Sequence, residues 1–302
     1  MRFFKVILIA AMVVSAVIPT VIAGDDTSPQ QLARLFTVPK GRVLESMDVS
    51  LTLGGAFGSM NKGEYLGIAS VGLGNVAELE ISTFRLVSNL FKGTTALGTT
   101  ALSVAVLNGT EDNYLPDVAI TFRANPSWAL FEAGHGDIVD DLSAQVDEVS
   151  YEMHMAALYV TFTKPLMAGI TLHGGISLTD VRTRKGGAFL TGNPAQIIIP
   201  DLQENLYSGF IGIERNVNDQ TILIAEVSGV PRFNYKPVLN TLKADQVAAI
   251  IAGFRFYFTP KVSTDAGVKY RSDYAGIADA EISVGLNVGF SLASVAESIR
   301  NK

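Results

Sequence analysis

The chain has 302 residues, of which 17% are charged, with no cysteine, three histidines and a net charge of −6. The acidic balance argues against nucleic acid as a partner, and the lack of cysteine excludes a disulfide framework, a thiolate metal site and a thiol nucleophile. Mean hydropathy is positive at +0.31, yet beyond the first 23 residues no stretch approaches the ~18 uninterrupted apolar residues of a helical membrane span.

The N-terminus carries Arg2 and Lys5, an apolar stretch over 6–18, and Val21-Ile22-Ala23 before Gly24 and the acidic pair Asp25-Asp26. This order of basic, apolar and small-residue regions predicts a cleavable export signal over 1–23. Its removal leaves 21 basic against 29 acidic residues, a net charge of −8. Residues 24–45 read as a periplasmic segment ahead of the first strand.

From residue 47 the pattern has a period of two. Met47, Val49, Leu51, Leu53 and Phe57 share one face and Asp48, Ser50, Thr52, Gly54 and Ala56 the other, which only an extended strand produces. Further strands are predicted over 65–74, 76–87, 97–107, 117–124, 149–163, 169–179, 207–215, 221–228, 247–258 and 262–271. The strand over 149–163 swaps parity near 155–157, which a β-bulge there would explain. The last, over 278–291, alternates throughout, with Ala278, Ala280, Ile282, Val284, Leu286, Val288 and Phe290 on one face. Twelve strands result, many near the ~9–11 residues a tilted strand needs to cross a bilayer.

Short links near Asn75, at 164–165, 216–220 and 259–260 contrast with long loops over 125–148, 182–206 and 229–246. Short turns on one rim and long loops on the other are the asymmetry of an outer-membrane barrel. Phe254, Phe256 and Phe258 end one strand, and Tyr65, Tyr159, Tyr207, Tyr257, Tyr270 and Tyr274 lie near strand ends, where interfacial aromatic girdles are expected. High hydropathy without long apolar runs agrees, since only alternate residues meet lipid.

With these features the chain resembles bacterial outer-membrane β-barrels of the porin-like class over residues 46–292. Ser283, Gly285, Val288 and Phe290 also resemble the C-terminal signal read by the barrel-assembly machinery, at polar-x-Gly-x-x-apolar-x-aromatic spacing. That signal ordinarily ends the chain on its aromatic residue, whereas a tail over 293–302 follows here. The resemblance implies an all-β, single antiparallel up-and-down transmembrane β-barrel of about 12 strands in a bacterial outer membrane, with outer-membrane lipid and the assembly machinery as partners.

On the polar face the strands place Asp48, Glu78, Glu80, Glu214, Glu226, Asp265, Asp279 and Glu281 against Arg123, Arg255, Lys269 and Arg271. Charges facing hydrocarbon cost several kcal/mol each, on the order of 2–3 or more, so this set is expected to line a lumen. A channel or passive transporter for small polar solutes, with an acidic bias favouring cations, is one reading. The other is a non-conducting structural or adhesive barrel whose interior is filled by side chains.

Catalysis and metal binding are not expected. His135, Asp137, Asp140 and Asp141 cluster in one long loop, but their spacing fits neither the Ca²⁺ loop nor the zinc patterns. His173 and Ser177 lie four apart on a strand, roughly 13 Å between side chains, too far to pair, and His154 has no Ser partner at the expected spacing. No cofactor is called for, and an outer-membrane hydrolase is the weakest alternative.

Overall fold

The computed structural model describes residues 29–30, 32–58, 61–84, 98–109, 115–125, 128–134, 146–166, 169–190, 196–236 and 239–293. The export signal, the His135–Asp141 cluster and most of the C-terminal tail lie outside them. No helix among the described residues is long and apolar enough to cross a membrane, which leaves crossing by strands untouched.

The strands are β1 (Asp48–Gly58), β2 (Asn61–Leu73), β3 (Ala77–Phe84), β4 (Thr99–Leu107), β5 (Asp117–Ala124), β6 (Ala129–Gly134), β7 (Val146–Pro165), β8 (Ile170–Leu190), β9 (Gln196–Ile199), β10 (Leu202–Asn218), β11 (Thr221–Lys236), β12 (Thr241–Thr259), β13 (Val262–Arg271) and β14 (Glu281–Ser291). All pairings are antiparallel and join chain neighbours, except within the couples β5/β6 and β9/β10, and β14 returns to β1 from Asp48↔Ser291 to Phe57↔Ile282. β5 and β6 pair with successive stretches of β7, and β9 and β10 with successive stretches of β8. Each couple is therefore one interrupted stave. The ring closes with twelve staves, a single up-and-down transmembrane β-barrel.

Closure joins the first stave to the last, and the period of two then sorts the side chains. Leu53, Leu79, Ile81, Leu102, Val104, Ile120, Phe122, Leu158, Val160, Ile176, Phe254, Val268, Ile282 and Val284 are exposed on the outside, while Ser50, Ser82, Thr121, Thr161, Thr163, Ser177, Ser263 and Asn287 are buried within. A soluble protein is arranged the other way round. The apolar exterior is the lipid belt, so Val284→Arg is expected to cost about 2–4 kcal/mol near the bilayer midplane, read as a lower urea midpoint in lipid vesicles.

The rim carrying both ends of the barrel, termed near, has tight connections at 74–76, 219–220 and 260–261. Gly74 and Asn75 both have positive φ (66° and 59°), the backbone of a type I′ hairpin turn. At the far rim the described parts of the three long loops expected over 125–148, 182–206 and 229–246 are largely strand. β7, β8, β10, β11 and β12 run for 16–21 residues and stand well above the belt. Their outer portions carry charges on both faces and contain Pro231 and several glycines, which read as loop because no bilayer imposes alternation there.

The extension has its own core. β10 pairs with β8 from Leu202 onward but with β11 only from Phe210 to Asn218. Beyond that point the β11–β12 hairpin stays paired to Lys236↔Thr241 and steps inside the taller wall. Phe233, Tyr235, Leu242 and Ala244 have the parity of the lipid-facing Leu223 and Phe254, yet they are buried with Tyr151, Val181, Ala188 and Ile199, with Met153, Met155, Leu202 and Leu206 around them. Gly229 sits at the step, where a Cβ would meet that of Ser208 at 2.7 Å. Ala244 N donates to Glu204 Oε2 (2.8 Å) and Asn240 Nδ2 to the Ile198 carbonyl (3.0 Å), fastening the hairpin over the far mouth.

This packing also explains the apparent parity swap in β7. Met153 and Met155 point inward with Ala157 and Tyr159, without a swap at 155–157, because the interior at their height is apolar. The register shifts lie nearer the far rim, between Ser150 and Glu152 and between Val146 and Glu148.

Candidate functional site: the barrel lumen

The interior is occupied by the chain's own N-terminal segment. Residues 24–45 were expected in the periplasm, but the described part of them runs inside the barrel. Gln30 N donates to the Pro260 carbonyl at the near rim (2.8 Å), the chain rises to a turn at 35–38, and Ser46 N returns to Asn75 Oδ1 at the same rim. The segment is thus a loop that enters and leaves through one end. Every wall residue it bonds lies in the near-rim half of its strand.

Several wall positions make room for it. A Cβ at Gly72 would overlap the Glu45 carbonyl oxygen, and one at Gly212 would overlap the Leu35 side chain. Leu35 and Val38 are buried with Phe210 and Ile224, and Phe36 packs against the same group. Lumen-side apolar residues therefore exist where the loop covers them.

The polar contacts are denser. At the turn, Leu35 N bonds the Val38 carbonyl and Lys40 N the Ala33 carbonyl, which leaves the amides of residues 36 and 37 aimed at the wall. The Glu226 carboxylate takes them: Phe36 N to Oε2 (3.1 Å), Thr37 N to Oε1 (3.1 Å), and the Thr37 hydroxyl to Oε1. Hydrogen bonds to an ionised acceptor are the strong kind. Arg255 forms a bidentate pair with Asp265 (2.7 and 2.9 Å) and donates a further bond to the Leu35 carbonyl (3.2 Å), so one fully buried cation braces both wall and loop.

On the descending arm Lys40 Nζ meets Glu214 Oε1 at 2.7 Å. Glu214 also holds His173 Nε2 (3.1 Å), and His173 Nδ1 is 2.8 Å from Thr163 Oγ1. Gly41 N donates to that hydroxyl (2.8 Å), and the Glu214 carboxylate, an acceptor, takes the imidazole proton on Nε2, which leaves Nδ1 to accept from Thr163. His173 thus serves loop docking, and Ser177 bonds Ser208 instead. Arg42 pairs with Asp117, Leu44 N donates to Glu78 Oε2 (3.1 Å), and Glu80 takes Arg34 (3.6 Å) and Arg123 (3.2 Å).

Of the twelve charged residues expected on the lumen, Glu78, Glu80, Glu214, Glu226, Arg255 and Asp265 are buried or half-buried around the loop, with Arg123 beside Glu80. Lys269 and Glu281 pair at 3.2 Å nearer the far rim. Arg271 pairs with Asp273 there, and Asp48 opens β1 at the near rim on the inward parity. Asp279 is a correction: the strand assigned to 278–291 starts at Glu281, and Asp279 closes a short 3-10 turn, accepting from Ala275 N. The small Ala278 and Ala280 mimic alternation without forming a ladder. Ser283 and Gly285 point inward on β14, and Val288 and Phe290 outward, where they pair with Leu51 and Val49 of β1.

Sequence reasoning missed Arg34, Lys40, Arg42, Thr163 and Asp117. A signal was present: the wall acids outnumber the wall bases, and the segment before β1 carries three bases among Leu32, Leu35, Val38 and Leu44. Two aromatic expectations also change. Tyr159 packs inward on Phe210 under Arg123, and Tyr257 is buried with its hydroxyl on the Gln30 carbonyl (3.2 Å), whereas Tyr207, Phe254 and Phe258 do face out.

Little space is left beside the loop. Between Leu32–Arg34 and the β1–β3 wall a cavity of about 10 Å³ remains, near the minimum for one water molecule. A shallower pocket of about 220 Å³ opens at the near rim between Arg42, Asp117 and Lys164.

The chain matches no protein-family model and no curated protein. Among solved structures it is similar to the translocator domain of the autotransporter NalP from Neisseria meningitidis, at 12% identity over 81% of this chain and 88% of that one, with a TM-score of 0.41. It is also similar to the NanC porin (13% identity, 81% and 100% covered, TM-score 0.41) and to the KdgM porin in complex with disordered oligogalacturonate (8%, 80% and 99%, 0.41). These likenesses are of fold.

Proposed function

We propose that this chain is an exported barrel of a bacterial outer membrane that acts as a channel for small polar solutes, with its N-terminal loop seated in the bore. One observation carries the reading: the wall around the loop keeps a wide, hydrophilic interior instead of filling it. A barrel with no use for a lumen can close it with large side chains of its own strands. Here most facing positions are glycine, serine, threonine and charged residues, the larger ones (Phe210, Ile224, Tyr159 and Tyr257) packing on the loop, and a separate segment occupies the space. Lipid meets the apolar belt, and the Ser283–Phe290 pattern on β14 is the feature offered to the assembly machinery. No chemical transformation is assigned to the interior.

The apolar core of the β11–β12 hairpin over the far mouth favours a second reading, a permanently closed structural barrel. Planar-bilayer recording separates the two. The channel reading expects discrete conductance steps from the purified full chain, and more of them when the loop is loosened. Absence of steps at every voltage, in both the full chain and a folded loop-loosened variant, would leave the structural reading.

A further inference from the structure

We propose that the N-terminal loop is a voltage-responsive gate, drawn out of the barrel when the near-rim side is negative, and that the path it opens prefers cations. This rests on the channel reading and adds its regulation and its selectivity. Three features of the loop carry it.

The first is its path. Both ends lie at the near rim, at Gln30 and Ser46, so the loop can leave in one piece without unpairing a stave. The second is its fastening. Glu226, Glu214, Glu80, Asp117 and Arg255, the last through the Leu35 carbonyl, hold it by hydrogen bonds and ion pairs, all of which water can replace as the loop moves toward the rim. The third is charge. The lumenal part of the loop carries Arg34, Lys40 and Arg42 and no acid, while Glu45 sits exposed at the rim. A segment with three positive charges that moves through part of a membrane does work against the applied potential, in proportion to that charge.

Leaving also changes the wall. Among the described residues, Glu78, Glu80, Asp117, Glu214, Glu226 and Asp265 then have Arg123 and Arg255 as wall cations around the vacated space, with Lys269 and Glu281 neutralising each other further up. Counted by formal charge, these wall groups then sum to four negative where the seated loop leaves one negative. A narrow, low-dielectric bore lined by one sign concentrates the opposite ion.

The absence of native cysteine allows a direct test on the full chain. Val38→Cys, at a site 4% exposed at the turn, is reconstituted in planar bilayers, with a membrane-impermeant maleimide in the chamber facing the near rim. That chamber is identified by labelling of Asp219→Cys in the near-rim turn. Steps and labelling are expected together, roughly tenfold or more frequent when that chamber is negative than at the opposite polarity. The reversal potential in a KCl gradient should show preference for K⁺. Lys40→Gln with Arg42→Gln should reduce the polarity asymmetry. If Val38→Cys folds poorly, Leu44→Cys on the descending arm, 3% exposed, replaces it. Steps equal at both polarities, or openings with no change in labelling, overturn the gate and leave the channel reading standing. A chloride-preferring path overturns the selectivity. Silence in every variant, including those with a loosened loop, overturns the channel reading itself.

Discussion

A Gly72→Val, Glu226→Gln variant is expected to conduct far more often than the parent in planar bilayers. The two substitutions attack the loop at different points. At position 72 a side chain meets the backbone of Glu45 and Leu44, which cannot swing aside as a side-chain tip could, so the descending arm must move. At position 226, neutralising the carboxylate weakens the bonds to Phe36 N, Thr37 N and the Thr37 hydroxyl. Bonds to a charged acceptor contribute about 1.5–3 kcal/mol each against about 1 for neutral ones. Losing even 2–3 kcal/mol of seating energy shifts the occupied-to-vacant ratio by roughly 30–150-fold. The outer wall should be untouched, which heat-modifiable gel mobility would verify. If the variant is folded yet as quiet as the parent, the loop does not control passage.

The second large effect is on stability. Arg255→Leu is expected to lower unfolding stability by about 3–5 kcal/mol, because a buried acid loses its only strong counter-charge. Arg255 is 1% exposed and Asp265 8%, and the pair joins β12 to β13 at mutually facing positions, Arg255↔Asp265. Urea titration in lipid vesicles measures the loss. The double variant Arg255→Leu, Asp265→Leu should recover most of it, since removing both partners leaves no orphaned charge. A single variant as stable as the parent would mean that water reaches Asp265 in the folded barrel.

Much of the barrel was legible in the sequence because the bilayer imposes a strict rule on each stave. Alternation over 47–57 and 282–290, the short turn at Asn75 and the number of staves all follow from lipid on one side and polar atoms on the other. Where that constraint ends, legibility ends. The far portions of β8, β11 and β12 looked like loops because nothing outside the membrane demands an apolar partner at every second position. Met153, Met155 and Tyr159 suggested a flipped register or a girdle because an apolar residue on a barrel strand is read as facing lipid, and here a protein layer or the loop provides a second apolar surface.

The lumen was half legible. The inward acids could be placed by parity, since a carboxylate cannot face hydrocarbon. What they bind could not, because the loop that meets them has no period of its own. Its turn is fixed by amides seeking Glu226 and its arms by Lys40 and Arg42 seeking acids on distant staves, contacts 75 to 190 positions apart in the chain.

That the loop begins and ends at one rim separates two properties that a threaded segment would tie together. Twelve ribbons can zip into a cylinder without waiting for a tether to be passed through the middle, and the tether can later come and go at no cost to that cylinder's backbone pairing. Mutations that alter leakiness and mutations that alter durability should therefore fall on different residues, with Arg255, which touches both the Leu35 carbonyl and Asp265, as the point where the two sets meet.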